Sequence, residues 1–394
     1  MNSIWKLKGM LFFFHSSMTI IISYLPVYFQ EMGLTGSEIG ILLAVGPAAA
    51  IVAQPFWGFM SDKYKTVKRI LLICLTGALA IGFIVFQAAE FMILIPLLYL
   101  FFSFMSPSGA LGDSLAQKVS VQQGVSFGSI RMWGSLGFGT ASLVSGYILT
   151  QIGISNMYYL YATFICIALV FCYLAPDSVP SKKPVVLTSA LKLLKNGKLA
   201  IFLLMILAIS LTHRMNDSFM GLYIIELGGN ESYIGLSWFI GVFAEAIVFA
   251  FSVYWFRRFH ALTFITVAGF LYAVRWLLMS FAPDPQIVLI IQVLHGMTFA
   301  MFYLTAFQFV TKLVPEELES TGHLLFISVF FGISGVIGSI LGGSVIHVFA
   351  VRDLYIVMFF LSVIGFVGAL MYRYFYFKTG DGMKEKEKMI SANG

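Results

Sequence analysis

The chain has 394 residues, 59% of them hydrophobic and only 11% charged, with a mean hydropathy of +0.92. Soluble domains carry roughly a quarter charged residues, so this composition excludes a soluble globular enzyme, a disordered chain and a nucleic-acid binder. The formal net charge of +6 has to be read against a bilayer, and the class is a polytopic, all-α membrane protein.

A membrane crossing needs about 20 mainly apolar residues. Twelve such runs follow one another near 10–30, 39–60, 69–89, 91–118, 125–151, 156–175, 199–225, 233–256, 261–281, 286–311, 321–348 and 353–376. Nothing shows the ten-residue alternation of an outer-membrane barrel. The first run follows Lys6 and Lys8 but is too long for a signal h-region and lacks a small-residue cleavage site, so it is read as a retained helix. Cys74, Cys166 and Cys172 lie inside apolar runs without paired or metal-like spacing, and no metal or cofactor is expected.

Basic residues favour cytoplasmic loops. They fall at Lys6/Lys8, Lys63–Arg69, Lys118, Lys182–Lys198, Arg257/Arg258, Lys312 and the tail from Arg373 to Lys388, which are alternate loops. The opposite loops carry Glu31, Glu38, Glu90, Glu226, Glu231 and Asp284, with Arg352 as their one base. Twelve spans with both termini cytoplasmic satisfy this pattern. The longest polar break divides the spans six and six, so the predicted organisation is a bundle over 1–176, a cytoplasmic linker over 177–198, a second bundle over 199–376 and a disordered tail over 377–394. Two such halves meeting around a midplane site is a transporter arrangement.

Ionisable groups within spans are costly and mark function. The sequence offers Asp113, Arg131, His213, Arg214, Asp217, Glu245, Arg275 and His295, with His15 and His323 besides. Asp113 and Arg131 lie equally far from residue 122, so an antiparallel turn there puts them at one depth, where they can neutralise each other or bind a polar solute. Phe138, further along the same helix, can offer a ring platform. In the second half Glu245, Arg275 and His295 fall near mid-depth and suit carriage and release of a proton. Asp217, with His213 one turn earlier, adds a further acid. The loop Gly58-Phe59-Met60-Ser61-Asp62-Lys63-Tyr64-Lys65-Thr66-Val67-Lys68-Arg69 ends a helix with an acid followed by bases, which can grip a neighbouring helix C-terminus as a latch.

Gly58, Asp62, Lys63, Lys68 and Arg69 resemble the loop 2–3 signature of the major facilitator superfamily, with Lys65 in place of the usual second glycine. Asp113, Lys118 and Phe127-Gly128-Ser129-Ile130-Arg131-Met132 resemble the lactose permease group and the related nucleoside and phenylpropionate proton symporters. The resemblance implies that Asp113 and Arg131 bind solute hydroxyls, and that Phe138 occupies the place of a sugar-stacking tryptophan. It also implies that Glu245, Arg275 and His295 correspond to the coupling glutamate, arginine and histidine. Thr298 stands where lactose permease has its proton-carrying glutamate, which leaves Glu245, Asp217 or Asp113 for that task.

The expected function is proton-coupled uptake of a small polar or ring-shaped solute (a sugar, nucleoside or aromatic acid) by alternating access. The protein is expected to act as a monomer in the cell membrane, with proton, solute and lipid as its partners and no nucleic acid. The alternatives are proton-coupled export of amphipathic compounds and, less favoured, a membrane-embedded enzyme.

Overall fold

The computed structural model describes residues 3–178, 193–255 and 260–378. Most of the predicted linker and tail, and Arg257 and Arg258, lie outside the described residues. Among the described residues there are twelve long helices and no strand. In chain order they are α1 (Ser3–Glu31), α2 (Gly36–Tyr64), α3 (Val67–Val85), α4 (Phe91–Gln122), α5 (Phe127–Ile152), α6 (Met157–Leu174), α7 (Gly197–Glu226), α8 (Glu231–Ala250), α9 (Ala261–Ser280), α10 (Pro285–Thr311), α11 (Thr321–Val348) and α12 (Val351–Lys378).

Eleven of these helices are long and apolar enough to cross a membrane; α5 is long enough but is diluted by glycine, serine and threonine. Pro26, Pro47, Pro55, Pro96 and Pro107 sit inside helices, which neighbouring helices tolerate in a membrane better than water does. The third and eighth spans stop short of expectation, at Val85 and Ala250, and a single turn, Ser252–Trp255, follows the latter.

Packing falls into two groups of helices. In the first half α1 lies on α5 and α6, and α4 on α2 and α3; in the second, α9 and α7 lie on α12, α9 also meets α10, and α7 meets α11. The two six-helix bundles touch along α2–α11 and α5–α8, with α1 against α7.

Because twelve spans alternate in direction, Ser3 and Lys378 share one side, here the terminal end. The bundles are clamped together at the opposite, far end. A Cβ on Gly343 would come within 2.6 Å of Gly36 O and of Gly40 Cα, and one on Gly235 within 2.1 Å of Ser142 O. Only glycine allows backbones this close. Hydroxyls complete the closure: Ser142 Oγ donates to Gly235 O at 3.0 Å, and Thr150 Oγ1 lies 2.9 Å from Ser232 Oγ.

The terminal end is looser. Asp113 and Arg131 keep 36% and 35% of their side-chain surface exposed, and an exposed ion pair inside a membrane protein faces a watery cleft rather than lipid. At Gly58 an added Cβ would meet nothing within 4 Å.

Candidate substrate site and ionic network

A cavity of about 260 Å³ lies at mid-depth between the bundles, walled by α1, α2, α4, α7 and α11. Its apolar lining includes Met18, Ile22, Phe102, Met105 and Phe331; its polar lining is Gln54, Ser106, Arg214, Asp217, Ser218 and Ser328. Arg214 and Asp217 project from one face of α7 because they are three residues apart. Arg214 Nη1 donates to Asp217 Oδ2 at 2.7 Å, and the guanidinium lies 5.8 Å from the Phe331 ring centre. Arg214 Nε, Asp217 Oδ1 and Ser106 Oγ are buried without a hydrogen-bond partner among the described residues. Unmet polar atoms around a cavity are what a polar ligand group would satisfy.

Behind Asp217 the network runs deeper into the second bundle. His213 Nε2 is 3.5 Å from Asp217 Oδ2, and its Nδ1 is 3.2 Å from the Tyr272 hydroxyl. Its ring stacks on Phe299 at 4.6 Å and lies 5.6 Å from the His295 ring. His295 Nε2 in turn is 4.0 Å from Glu245 Oε2. The π-turns at Gly296–Ala300 in α10 and Ser328–Ile333 in α11 flank this cluster, and such turns are frequent at functional sites. Gly296 also brings α10 against the Ala244 carbonyl, one residue before Glu245.

The sequence-predicted residues fall into three groups. Asp113 and Arg131 do pair, with Arg131 Nε 2.9 Å from Asp113 Oδ1 and donating to Oδ2 at 3.1 Å. They do not line the cavity, and neither does Phe138, whose ring instead meets Trp238 edge to face at 5.7 Å across the bundle interface. Glu245, His295, His213 and Asp217 are brought together. Arg275 is not part of that contact chain. It is fully buried, its Nη1 donates to Thr298 Oγ1 at 3.1 Å, its Nη2 donates to Gln292 Oε1, and its guanidinium stacks 4.5 Å from Trp276. The threonine at 298 and the glutamine at 292 supply neutral acceptors, so Arg275 keeps a full charge without a carboxylate in contact. Of the histidines without an assigned role, His15 bonds the Leu11 carbonyl at 2.8 Å and His323 stacks on Phe307 at 3.9 Å.

The loop residues Gly58, Asp62, Lys63 and Arg69 lie at the terminal end of α2 and the start of α3. Lys65 adopts a left-handed conformation, φ 53°, the one non-glycine positive φ among the described residues, which explains why glycine would suit that place. Asp177, after α6, grips the loop: Thr66 Oγ1 donates to it at 2.5 Å and the Lys68 N–H at 3.0 Å. Partial burial pushes this carboxyl up, but those bonds, that of the Ser178 N–H and the Lys68 charge together hold it below the usual aspartate value.

Sequence reasoning named Arg214 without giving it a role and passed over Gln292, Trp238, Ser106 and Asp177. The three-residue spacing to Asp217 could have found Arg214. The others are neutral or lie outside the spans, so a search for buried charges did not reach them.

Residues 4–357 match the MFS_1 like family, and the chain belongs to it. It is a multi-pass transporter of the major facilitator superfamily, not an enzyme. It is 28% identical to the uncharacterized transporter YwbF of Bacillus subtilis, with 91% of each chain covered. It is 29% identical to the maltose permease of Geobacillus stearothermophilus, covering 88% of each. Against the probable 3-phenylpropionic acid transporter of Escherichia coli it is 25% identical, over 80% of this chain and 83% of that one. The crystal structure of the nucleoside transporter NupG superposes with a TM-score of 0.87 at 17% identity, over 94% of this chain and 99% of that one, which establishes the fold.

Proposed function

We propose that this transporter imports a small ring-bearing solute together with a proton, by alternating access, as a monomer in the cytoplasmic membrane with both termini inside. The observation that carries the reading is the state of Glu245. Asp113 and Asp217 each touch an arginine, whereas the only ion-pair partner of Glu245 among the described residues is His295. Glu245 can therefore gain and lose a proton without breaking an arginine pair, and the His295–His213–Asp217 chain connects it to the cavity wall. Basic residues at the terminal end favour a cytoplasmic placement, which makes this conformation inward-facing, with Gly235–Ser142 and Gly40–Gly343 as the outer closure.

The deciding experiment is uptake into proteoliposomes under an imposed proton gradient, with maltose, uridine and 3-phenylpropionate as solutes. Wild-type protein is expected to accumulate one of them when the outside is acidic. Glu245→Gln is expected to exchange that solute at equilibrium but not to accumulate it. Accumulation indifferent to the gradient would refute proton coupling.

A further inference from the structure

We propose that the groove between α7 and α12 binds one anionic phospholipid of the leaflet at the terminal end, with an acyl chain between the two helices and the phosphate at Lys195 and Lys198. The site is separate from the transport path and does not depend on which solute or ion is moved. The first observation is the shape of the groove. It encloses about 870 Å³ and runs along residues 197–211 of α7 and 361–376 of α12. At 1.5 Å per residue it is about 21 Å long, the depth of one leaflet with its headgroups. It opens at the terminal end, where α7 begins and α12 ends, and stops near mid-bilayer at Leu211 and Leu361. A membrane-spanning helix of a protein partner would need a seat across both leaflets; a lipid needs a seat in one. Ala208, Gly365 and Gly368 leave room between the helices. A Cβ on Gly365 would come within 2.5 Å of Ile209 Cγ1, so the helices touch there, whereas one on Gly368 would meet only Met205 Cγ, at an ordinary 3.6 Å.

The second observation is where the polar groups lie. Among the described residues the hydrogen-bonding side chains of the lining are Lys198, Tyr372 and Tyr376, and all three sit at the terminal mouth. The Tyr372 hydroxyl donates to the Lys198 carbonyl at 3.1 Å. Tyrosines favour headgroup depth, which sets the mouth at that level. Four cations share this end: Lys195 and Lys198 at the start of α7, Arg373 and Lys378 at the end of α12. The acids at the terminal end of this bundle, among the described residues, are Glu316, Glu317 and Glu319, which lie between α10 and α11 rather than on either groove helix. A basic pocket between helices at the membrane surface suits an anionic headgroup. The corresponding groove of the first bundle offers neither feature. It follows α1 only from Trp5 to Phe13, about 12 Å, and the Lys8 ammonium already lies over the Trp5 and Trp133 rings, 4.6 and 5.6 Å from their centres.

The test is native mass spectrometry of the full chain in detergent, equilibrated with equal amounts of phosphatidylglycerol and phosphatidylcholine. Wild-type protein is expected to retain one phosphatidylglycerol in preference to phosphatidylcholine by about tenfold or more. Replacing both Lys195→Gln and Lys198→Gln is expected to abolish that preference, since each cation near an anionic headgroup contributes about fivefold. Gly368→Leu keeps every charge, its Cβ fits, and the rest of its side chain fills the groove; it is expected to lose the retained lipid of either kind. Thermal melting in the same detergent checks that both variants fold. Equal retention of the two lipids by wild type would overturn the proposal. So would unchanged phosphatidylglycerol retention in folded Gly368→Leu, which would put the lipid elsewhere, or an unchanged preference in the lysine variant, which leaves the α7–α12 contact untouched. A wild-type dimer that Gly368→Leu dissociates would show a second copy of the chain in the groove and overturn the proposal as well.

Discussion

Adding one methyl group at the far-end closure should push the transporter into its opposite conformation. In Gly235→Ala the new Cβ would lie 2.1 Å from Ser142 O and 2.7 Å from the Tyr24 hydroxyl, where ordinary contact begins near 3.4 Å. The far end of α8 must then retreat from α5 by more than about 1 Å. That displacement breaks the Ser142–Gly235 and Thr150–Ser232 hydrogen bonds, at 3.0 and 2.9 Å. Two such bonds and the packing around them are worth about 2–3 kcal/mol. In a conformation whose far end is open the same methyl group meets nothing, so the whole cost falls on the closed form. The population ratio should shift about 30- to 150-fold toward opening of the far end. The assay is labelling of a cysteine at position 218, on the cavity wall, by a membrane-impermeant maleimide added outside, with Cys74, Cys166 and Cys172 replaced by serine. External labelling should accelerate in Gly235→Ala. An unchanged rate in a variant that folds normally would refute the assignment of this contact as the closure.

Three further outcomes follow from the same geometry. Glu245→Gln should lose gradient-driven accumulation while keeping exchange, and Asp217→Asn should show a milder defect; retained accumulation in the first with loss in the second would move the proton to α7. Lys65→Gly should raise thermal stability by roughly 1 kcal/mol, because glycine enters the left-handed region without the penalty a Cβ brings; a lower melting temperature would show that the lysine side chain contributes more than its strain costs. Asp177→Ala should lower stability by about 1 kcal/mol at neutral pH, since two donors on the α2–α3 loop lose their acceptor. Because the folded carboxyl sits below the ordinary aspartate value, its contribution is complete above about pH 3.9 and is lost as pH falls through the lower folded value. The difference between wild type and Asp177→Ala should therefore vanish only in strong acid. A difference already gone by pH 5 would contradict the arrangement.

The architecture was legible because a bilayer permits few solutions. Lipid satisfies no backbone group, so each apolar run had to be a helix, and the loop charges fixed their alternation. The matched depth of Asp113 and Arg131 was legible for a similar reason: two antiparallel helices joined by a short turn leave little freedom in register. The lining of the cavity was not legible. It is formed between α1, α2, α4, α7 and α11, and no local pattern records which of their residues converge. Arg275 shows the limit most clearly. Its depth was foreseen, yet its partners are the neutral Gln292 and Thr298, so a reading based on opposite charges directed it toward Glu245.

The span hardest to recognise by hydropathy, α5, makes one of the two far-end contacts between the bundles. Gly139, Ser142, Ser145, Gly146 and Thr150 lower its hydropathy below what length and composition alone require of a crossing. Gly146 lets α8 approach to backbone contact, and Ser142 and Thr150 supply the hydroxyls that bind it. A closure that must also reopen cannot be built from large side chains locked in place, because interlocked leucine or phenylalanine would make separation as costly as unfolding a core. Small residues give close contact over a narrow strip and a handful of hydrogen bonds, an energy of a few kcal/mol that ligand binding can outweigh. The weak hydropathy of α5 is thus the sequence trace of a contact made to be broken.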